Sequence, residues 1–416
     1  MTALARHASS NTFTENLQSF RFPAEWEPHA ATWLAWPHYR DDWPGKFETI
    51  PWVYAEIIRH LARHERVELI VNDAAGEKSA RKVLDKGNAL SGNVRFHRWR
   101  TDRVWTRDSG CTFLRETSGE RIPRALRHAR DNKTKGLIGT AEAIPSPGAL
   151  QPSVARPDSR FDFAQGRLGR LSLRGSLIAA VWLFNAWSKY PNYKHDEKIG
   201  GLMARAADAQ VVLPMFGKRQ VVLEGGSIDS NGKGTLLTTE ECLLSKVQQR
   251  NAGMKREDYE KVFSEFLGIK NVIWLGSGIA GDDTHGHVDD ITRFVAPDTV
   301  VSAVESNPHD ANYEPLRENL RRLREATDQD AKPLAIVELP MPAPVIFEKR
   351  RLPASYANFY IANGLVLAPV FNDPNDRIAL DILADIFPDR GIVGIYSGDL
   401  IWGFGAMHCM TQQQPL

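Results

Sequence analysis

The sequence predicts an α/β fold built from an internally repeated unit, and three observations carry that expectation. Short runs rich in Val, Ile and Leu alternate with segments whose apolar residues recur every three or four positions. The same order of two strands, a helix and another strand returns along the chain at a spacing of roughly 60 to 80 residues. Finally, 42% of the 416 residues are hydrophobic and 25% charged, a length and composition that bury a sizeable core without disulfide staples.

Residues 25–65 open with the aromatic-rich EWEPHAATWLAWPHYRDDW and continue into PWVYAEIIRHLARH, whose periodicity predicts a helix. VELIVND (67–73) reads as a buried strand, AGEKSARKVLDKG as a helix and NVRFHRW as another strand. From 176 the pattern resumes with strand LIAAVWLFNAW, helix HDEKIGGLMARAAD and strand QVVLPM. A hairpin of VVLEGGSI and GTLLTT follows about DSNGKG, whose Asn-Gly pair is a strong turn signal. Helix REDYEKVFSEFLG, strand NVIWLG, a loop rich in Gly, Asp and His, and the strand pair DITRFVAP and TVVSAV come next. The chain closes with helix YEPLRENLRRLRE, strand LAIVELP, the pair SYANFYIANG and LVLAPVF, helix PNDRIALDILADIFP, strand IVGIYSG and a glycine-rich end. On this reading each chemically interesting residue falls just beyond a strand.

One stretch, about 115–175, breaks the pattern. It carries 12 Lys or Arg against 6 Asp or Glu, so its +6 exceeds the +1 of the whole chain. A long stretch without clear elements reads as a disordered basic surface insertion, with a contact for an anionic partner as the alternative. Lys+Arg 52 against Asp+Glu 51 gives no sustained positive excess, which argues against a nucleic-acid or membrane-surface binder. No apolar run is long enough to span a membrane. The amino terminus lacks the unbroken apolar stretch of a secretory signal, and the three scattered cysteines suit a reducing compartment. A cytoplasmic protein is expected.

Cys409 lies in WGFGAMHCMTQQQP, immediately after His408, among small residues that let backbone approach a ligand. A lone Cys is more often a small buried hydrophobe than a nucleophile, so partners must decide. In GDDTHGHVDDITRF, His285, His287 and Asp289 alternate, and an extended backbone would point all three to one side. Such a set could transfer protons, bind metal or line a solvated loop; zinc would want further ligands at matching spacing, which the sequence does not offer. VWTRDSG offers Trp105 and Asp108, either an aromatic wall with a carboxylate for a cation or a turn with an Asx cap. Glu224 precedes Gly225 and Gly226. One thiol, one imidazole and several acids suit a guanidinium carbon: carboxylates grip its N–H fork, a thiolate attacks, and an acid protonates the departing ammonia.

WLAWP, WTRDSG, FNAW, LEGGSI, GTLLTTEECLLS, GHVDD, ANFYIANG and GDLIWGFGAMHCMTQQQP, in this order, resemble the agmatine deiminase family of guanidine-modifying enzymes. The resemblance covers nearly the whole chain except 115–175. It implies a five-bladed, pseudosymmetric α/β propeller of repeated ββαβ units, with residues 1–416 as one catalytic domain interrupted at about 115–175. It also implies hydrolysis of agmatine to N-carbamoylputrescine and ammonia in polyamine biosynthesis, with no metal and no cofactor, commonly in a homodimer. Cys409 matches the nucleophile, His287 the acid/base, Glu224 the partner that orients it, Asp108 and Asp289 the guanidinium-binding acids, and Trp105 an aromatic lining the substrate. Phe404 and Ala406 stand where a Gly and an Asn belong, Cys111 replaces a Pro and Asp229 a His. Two rival readings keep their place: a deiminase of another guanidine, such as peptidyl or free arginine, and a catalytically weakened member acting as a binding protein.

Overall fold

The computed structural model describes residues 20–116 and 177–416. Apart from Arg115 and Glu116, the basic stretch lies outside the described residues. Among the described residues no helix is long and apolar enough to cross a membrane.

Five mixed sheets share one connectivity: an antiparallel strand pair, a helix, and a strand parallel to the second of the pair. Thr112–Glu116 pairs with Ile178–Ala180, and the chain crosses through helix Ile199–Ala206 to Gln210–Val212. Asp229–Ser230 pairs with Thr235–Thr239 and returns through Arg256–Leu267 to Asn271–Leu275. Thr292–Ala296 and Thr299–Val304 are followed by Tyr313–Glu325 and Ala335–Pro340. Tyr360–Ala362 and Leu365–Val370 are followed by Asn375–Ile386 and Gly391–Tyr396. The remaining sheet joins the two ends of the described chain. Gln412–Pro415 lies antiparallel to His29–Ala35, which leads through Ile50–Leu61 to the parallel Arg66–Val71 and on to Val94–Arg98. A parallel return needs such a crossover, and each helix supplies it while covering its sheet.

The local chemistry explains the elements. Arg66–Val71 is buried at all but its first residue, which is why it reads as a continuous apolar run. Asp73 caps the next helix by accepting from the Gly76 amide at 2.8 Å. In Tyr313–Glu325 only Leu316, Asn319, Leu320 and Leu323 are buried, one stripe at helical spacing, and the exposed face is laced by Arg321 with Glu318 and Glu325.

The structure departs from the sequence reading in three places. VVLEGGSI is not the first strand of its hairpin: Gly225–Ser227 forms a 3-10 turn, and the strand is the two residues Asp229–Ser230. LIAAVWLFNAW is extended only over Ile178–Ala180. Strands His29–Ala35 and Gln412–Pro415, unassigned from the sequence, close the sheet that joins the chain ends. The consequence concerns placement. Asp108, Glu224, Asp289 and Cys409 each lie on the turn that leads into the first strand of a unit, not just beyond a preceding strand.

Candidate active site

The GHVDD run is not extended. His285 has φ +66° and Val288–Asp290 is a 3-10 turn, so the expected common side for its alternating residues is broken. His285 turns away to Ser245 Oγ at 3.1 Å, while His287 and Asp289 stay together, completely buried. Around the His287 ring, Nε2 lies 3.8 Å from Glu224 Oε2, and Nδ1 lies 3.9 Å from Asp108 Oδ2 and 4.0 Å from Asp289 Oδ1. Both ring nitrogens, Glu224 Oε2 and Asp289 Oδ1 are buried without a hydrogen-bond partner. Buried polar groups are ordinarily satisfied, so orphaned atoms on both sides of the His287 ring, Glu224 Oε2 by Nε2 and Asp289 Oδ1 by Nδ1, mark a place where a polar ligand would find partners.

Each carboxylate is held from behind. Asp108 accepts from the Gly226 amide at 3.0 Å and from the Trp187 indole at 2.9 Å. Gly226 is glycine because a Cβ there would sit 2.6 Å from His287 Nδ1 and 3.0 Å from both Asp108 and Asp289. Glu224 Oε1 accepts from Arg250 Nε at 3.1 Å. Asp289 Oδ2 meets His408 Nδ1 at 2.7 Å, and His408 Nε2 meets Glu25 Oε2 at 2.9 Å. Glu25 in turn accepts from Arg293 at 2.9 Å and Arg107 at 3.0 Å, and Arg293 also reaches Asp229 at 2.9 Å.

Cys409 Sγ lies 3.6 Å from Asp289 Oδ2 and accepts from Asn358 Nδ2 at 3.1 Å. It lines a cleft of about 20 Å³ with Arg103, Trp105, Asp108, Trp187, Tyr190, Asp283, Thr284 and Phe404. That volume holds little more than one water. A cavity of about 340 Å³ elsewhere, between Trp26, Asn363, Phe387 and Arg390, contains none of these groups and is set aside on chemistry.

Electrostatics follow from burial among acids. Burial pulls the His287 imidazole down, yet Asp108, with Cys242 and Glu224, outweighs it and raises His287 well above its usual range. Burial pushes the Glu224 carboxyl up, but Arg250 and His287 bring it down to about 2. Burial raises the Cys409 thiol, and Asp289, Asp290 and Asp108 raise it further. Both directions favour the protonated form, a thiol at Cys409 and an imidazolium at His287.

All six residues singled out from the sequence line this cleft or the cluster behind it. Glu25, Arg107, Trp187, Arg250, Arg293, Asn358 and His408 went unassigned; of these His408 carried a signal in its place beside Cys409, and Asn358 one of position within the repeated unit. Of the four departures, Cys111 is core, Asp229 is an ion-pair partner of Arg293, Ala406 is buried behind Cys409's turn, and Phe404 stands at the mouth with φ +67°. Two sets of potential metal ligands lie within 4.8 Å of one another: Glu224 with Cys242 and His287, and Asp289 with Asp290 and Cys409. In the first, the Arg250 guanidinium occupies Glu224 Oε1 and leaves Oε2 without a partner.

Residues 21–143 and 154–415 match the family described as Porphyromonas-type peptidyl-arginine deiminase, so the match enters the basic stretch from both sides. Agmatine deiminase of Ectopseudomonas mendocina (strain ymp) is 30% identical over 432 residues, covering 97% of this chain and 98% of that one. Agmatine deiminase of Pseudomonas fluorescens (strain SBW25) is 31% identical over 425 residues, covering 97% of each. The solved structure of Enterococcus faecalis agmatine deiminase, 24% identical, superposes with a TM-score of 0.75 over 97% of each chain, a likeness of fold.

Proposed function

Because the chain belongs to the Porphyromonas-type peptidyl-arginine deiminase family, we propose that it hydrolyses the guanidine of agmatine, giving N-carbamoylputrescine and ammonia. The observation that carries this reading is the clustering of Cys409, His287, Glu224, Asp108 and Asp289 from four separate turns, with Cys409 and Asp108 lining the small cleft and the others buried against them. In this reading the five units sit as the blades of a propeller forming one catalytic domain, with the cleft at its centre. The recurrence of one connectivity in five sheets supports it.

The chemistry follows from the charges. A guanidinium between Asp108 and Asp289 offsets the negative charge that keeps Cys409 protonated, and the thiol releases its proton to solvent. The thiolate attacks the guanidinium carbon. His287 gives its proton to one departing nitrogen, the C–N bond breaks, and ammonia leaves an amidino group on sulfur. Now neutral, His287 takes a proton from water as the hydroxide adds to that carbon. The C–S bond breaks, the hydroxyl proton passes to the departing sulfur and restores the Cys409 thiol, and the urea product departs. Glu224 orients the imidazole throughout, and Trp105 lines the alkyl chain.

Purified protein is expected to release ammonia from agmatine at neutral pH, and Cys409→Ser to release none. Hydrolysis of an arginine derivative with none of agmatine would overturn the substrate, and inactivity toward every guanidine would overturn the reading. A mass increase on Cys409 during turnover would report the amidino adduct.

A further inference from the structure

Four of the five sheets are entered through a turn bearing one of the groups above: Asp108 ahead of Thr112, Glu224 ahead of Asp229, Asp289 ahead of Thr292 and Cys409 ahead of Gln412. The turn ahead of Tyr360 in the fifth carries Asn358, which is 1% exposed and has no part in the steps described so far. Its amide is fully committed. Oδ1 accepts from the backbone N–H of His408 at 3.0 Å and of Cys409 at 3.4 Å, which fixes which end of the amide is oxygen. Nδ2 therefore faces Asp290 Oδ1 at 2.9 Å and Cys409 Sγ at 3.1 Å, with one hydrogen for each.

We propose that Asn358 is a further catalytic residue, which donates an N–H hydrogen bond to the sulfur of Cys409 and so stabilises the thiolate that attacks the guanidinium carbon. This rests on the guanidine-hydrolase reading. An N–H donor binds a thiolate more strongly than a thiol or a thioether, so the bond counts most where charge sits on sulfur: before attack, and again when the C–S bond breaks. The need is acute here because the carboxyl groups nearest the sulfur, Asp289, Asp290 and Asp108, all oppose a thiolate. Asp290 accepts the second hydrogen and keeps the amide plane turned toward Cys409.

The test compares wild type with Asn358→Ala in two assays. The pH dependence of Cys409 alkylation by iodoacetamide reads the thiol directly, with Asp108, Asp289, Asp290, His287 and His408 retained in both proteins. Alkylation at a fixed neutral pH is expected to slow about tenfold, and kcat for agmatine to fall on the order of 10- to 100-fold with KM within about twofold. Asn358→Asp keeps an oxygen for the two backbone amides, removes the donor and adds a carboxylate that itself opposes the thiolate. It is expected to slow alkylation at least as much, and it serves if the alanine variant does not fold. An alkylation profile that superimposes on wild type, with or without lost turnover, would reduce Asn358 to a packing role and overturn the proposal. Wild type that alkylates normally but releases no ammonia from any guanidine would instead sink the hydrolase reading, leaving the thiol comparison intact.

Discussion

Cys409 Sγ and Asp289 Oδ2 lie 3.6 Å apart, a thiol facing a carboxylate from a turn 120 residues earlier. The acid thus opposes ionisation of the thiol in the empty cleft and favours the cation whose arrival permits it. The two effects separate in Asp289→Asn. Alkylation of the free protein at neutral pH should become faster, because a charge opposing the thiolate is gone. At the same time kcat/KM for agmatine should fall at least about 100-fold, because one grip on the guanidinium is lost. Slower alkylation would contradict the assignment of Asp289 as the group that restrains the thiol.

His287 rests as an imidazolium because Asp108 and its other neighbours outweigh burial. As acid for ammonia loss it must hold that proton, so kcat/KM should decline as pH rises through its raised value. Glu224→Gln removes one anion beside the ring. The alkaline limb should then move to lower pH, with kcat reduced on the order of 100-fold. The sign is fixed: a shift to higher pH would mean that Glu224 does not act on the imidazole. Glu224 itself, held at about 2 against a usual 4.5, contributes stability that is complete above its unfolded value and is lost only as pH falls toward 2.

Most of the fold was legible because its helices are amphipathic and its parallel strands buried, as in Tyr313–Glu325 and Arg66–Val71. What escaped was set by contacts between distant segments. Gln412–Pro415 reads as three polar residues and a proline, and it is a buried strand only because His29–Ala35 pairs with it. VVLEGG has strand composition, but its glycines bring backbone against Arg107 and His287, and the chain turns. The reacting residues were legible through their motifs, whereas Glu25, Arg250 and Arg293 act through ion pairs that no local pattern announces. Asn358 has a positional signal, its place ahead of a unit's first strand, visible only once the units are aligned.

Glu25 accounts for much of the buried charge behind the site, since it faces Arg107, Arg293 and His408 at once. Burial pushes the Glu25 carboxyl up, yet Arg293, His408 and Arg107 together hold it well below the usual range. Glu25→Gln keeps the shape but leaves the Arg107 and Arg293 guanidiniums undercompensated. Loss of about 3–5 kcal/mol is expected, seen as a fall in melting temperature on the order of 10 °C. Activity should fall as well, because His408 no longer holds Asp289 from a fixed position. A variant as stable as wild type would show that the arginines are satisfied without it.

Phe404 stands at the mouth of the cleft in the left-handed region, φ +67°, with the Arg350 guanidinium 4.1 Å over its ring and Arg350 also bound to Asp283 at 2.7 Å. A residue with a Cβ costs about 1–2 kcal/mol in that conformation, which glycine avoids. The ring must therefore recover that cost through packing on Arg350 and closure of the cleft. Phe404→Gly removes both the strain and the packing, so stability should change little. The cleft, now about 20 Å³, should open. Because only the mouth changes while Cys409, His287 and the acids remain, the effect should appear as altered discrimination. The ratio of kcat/KM for a bulkier guanidine, such as an arginine amide, to that for agmatine should rise several-fold. Equal changes for both substrates would mean that Phe404 does not limit the size of what enters.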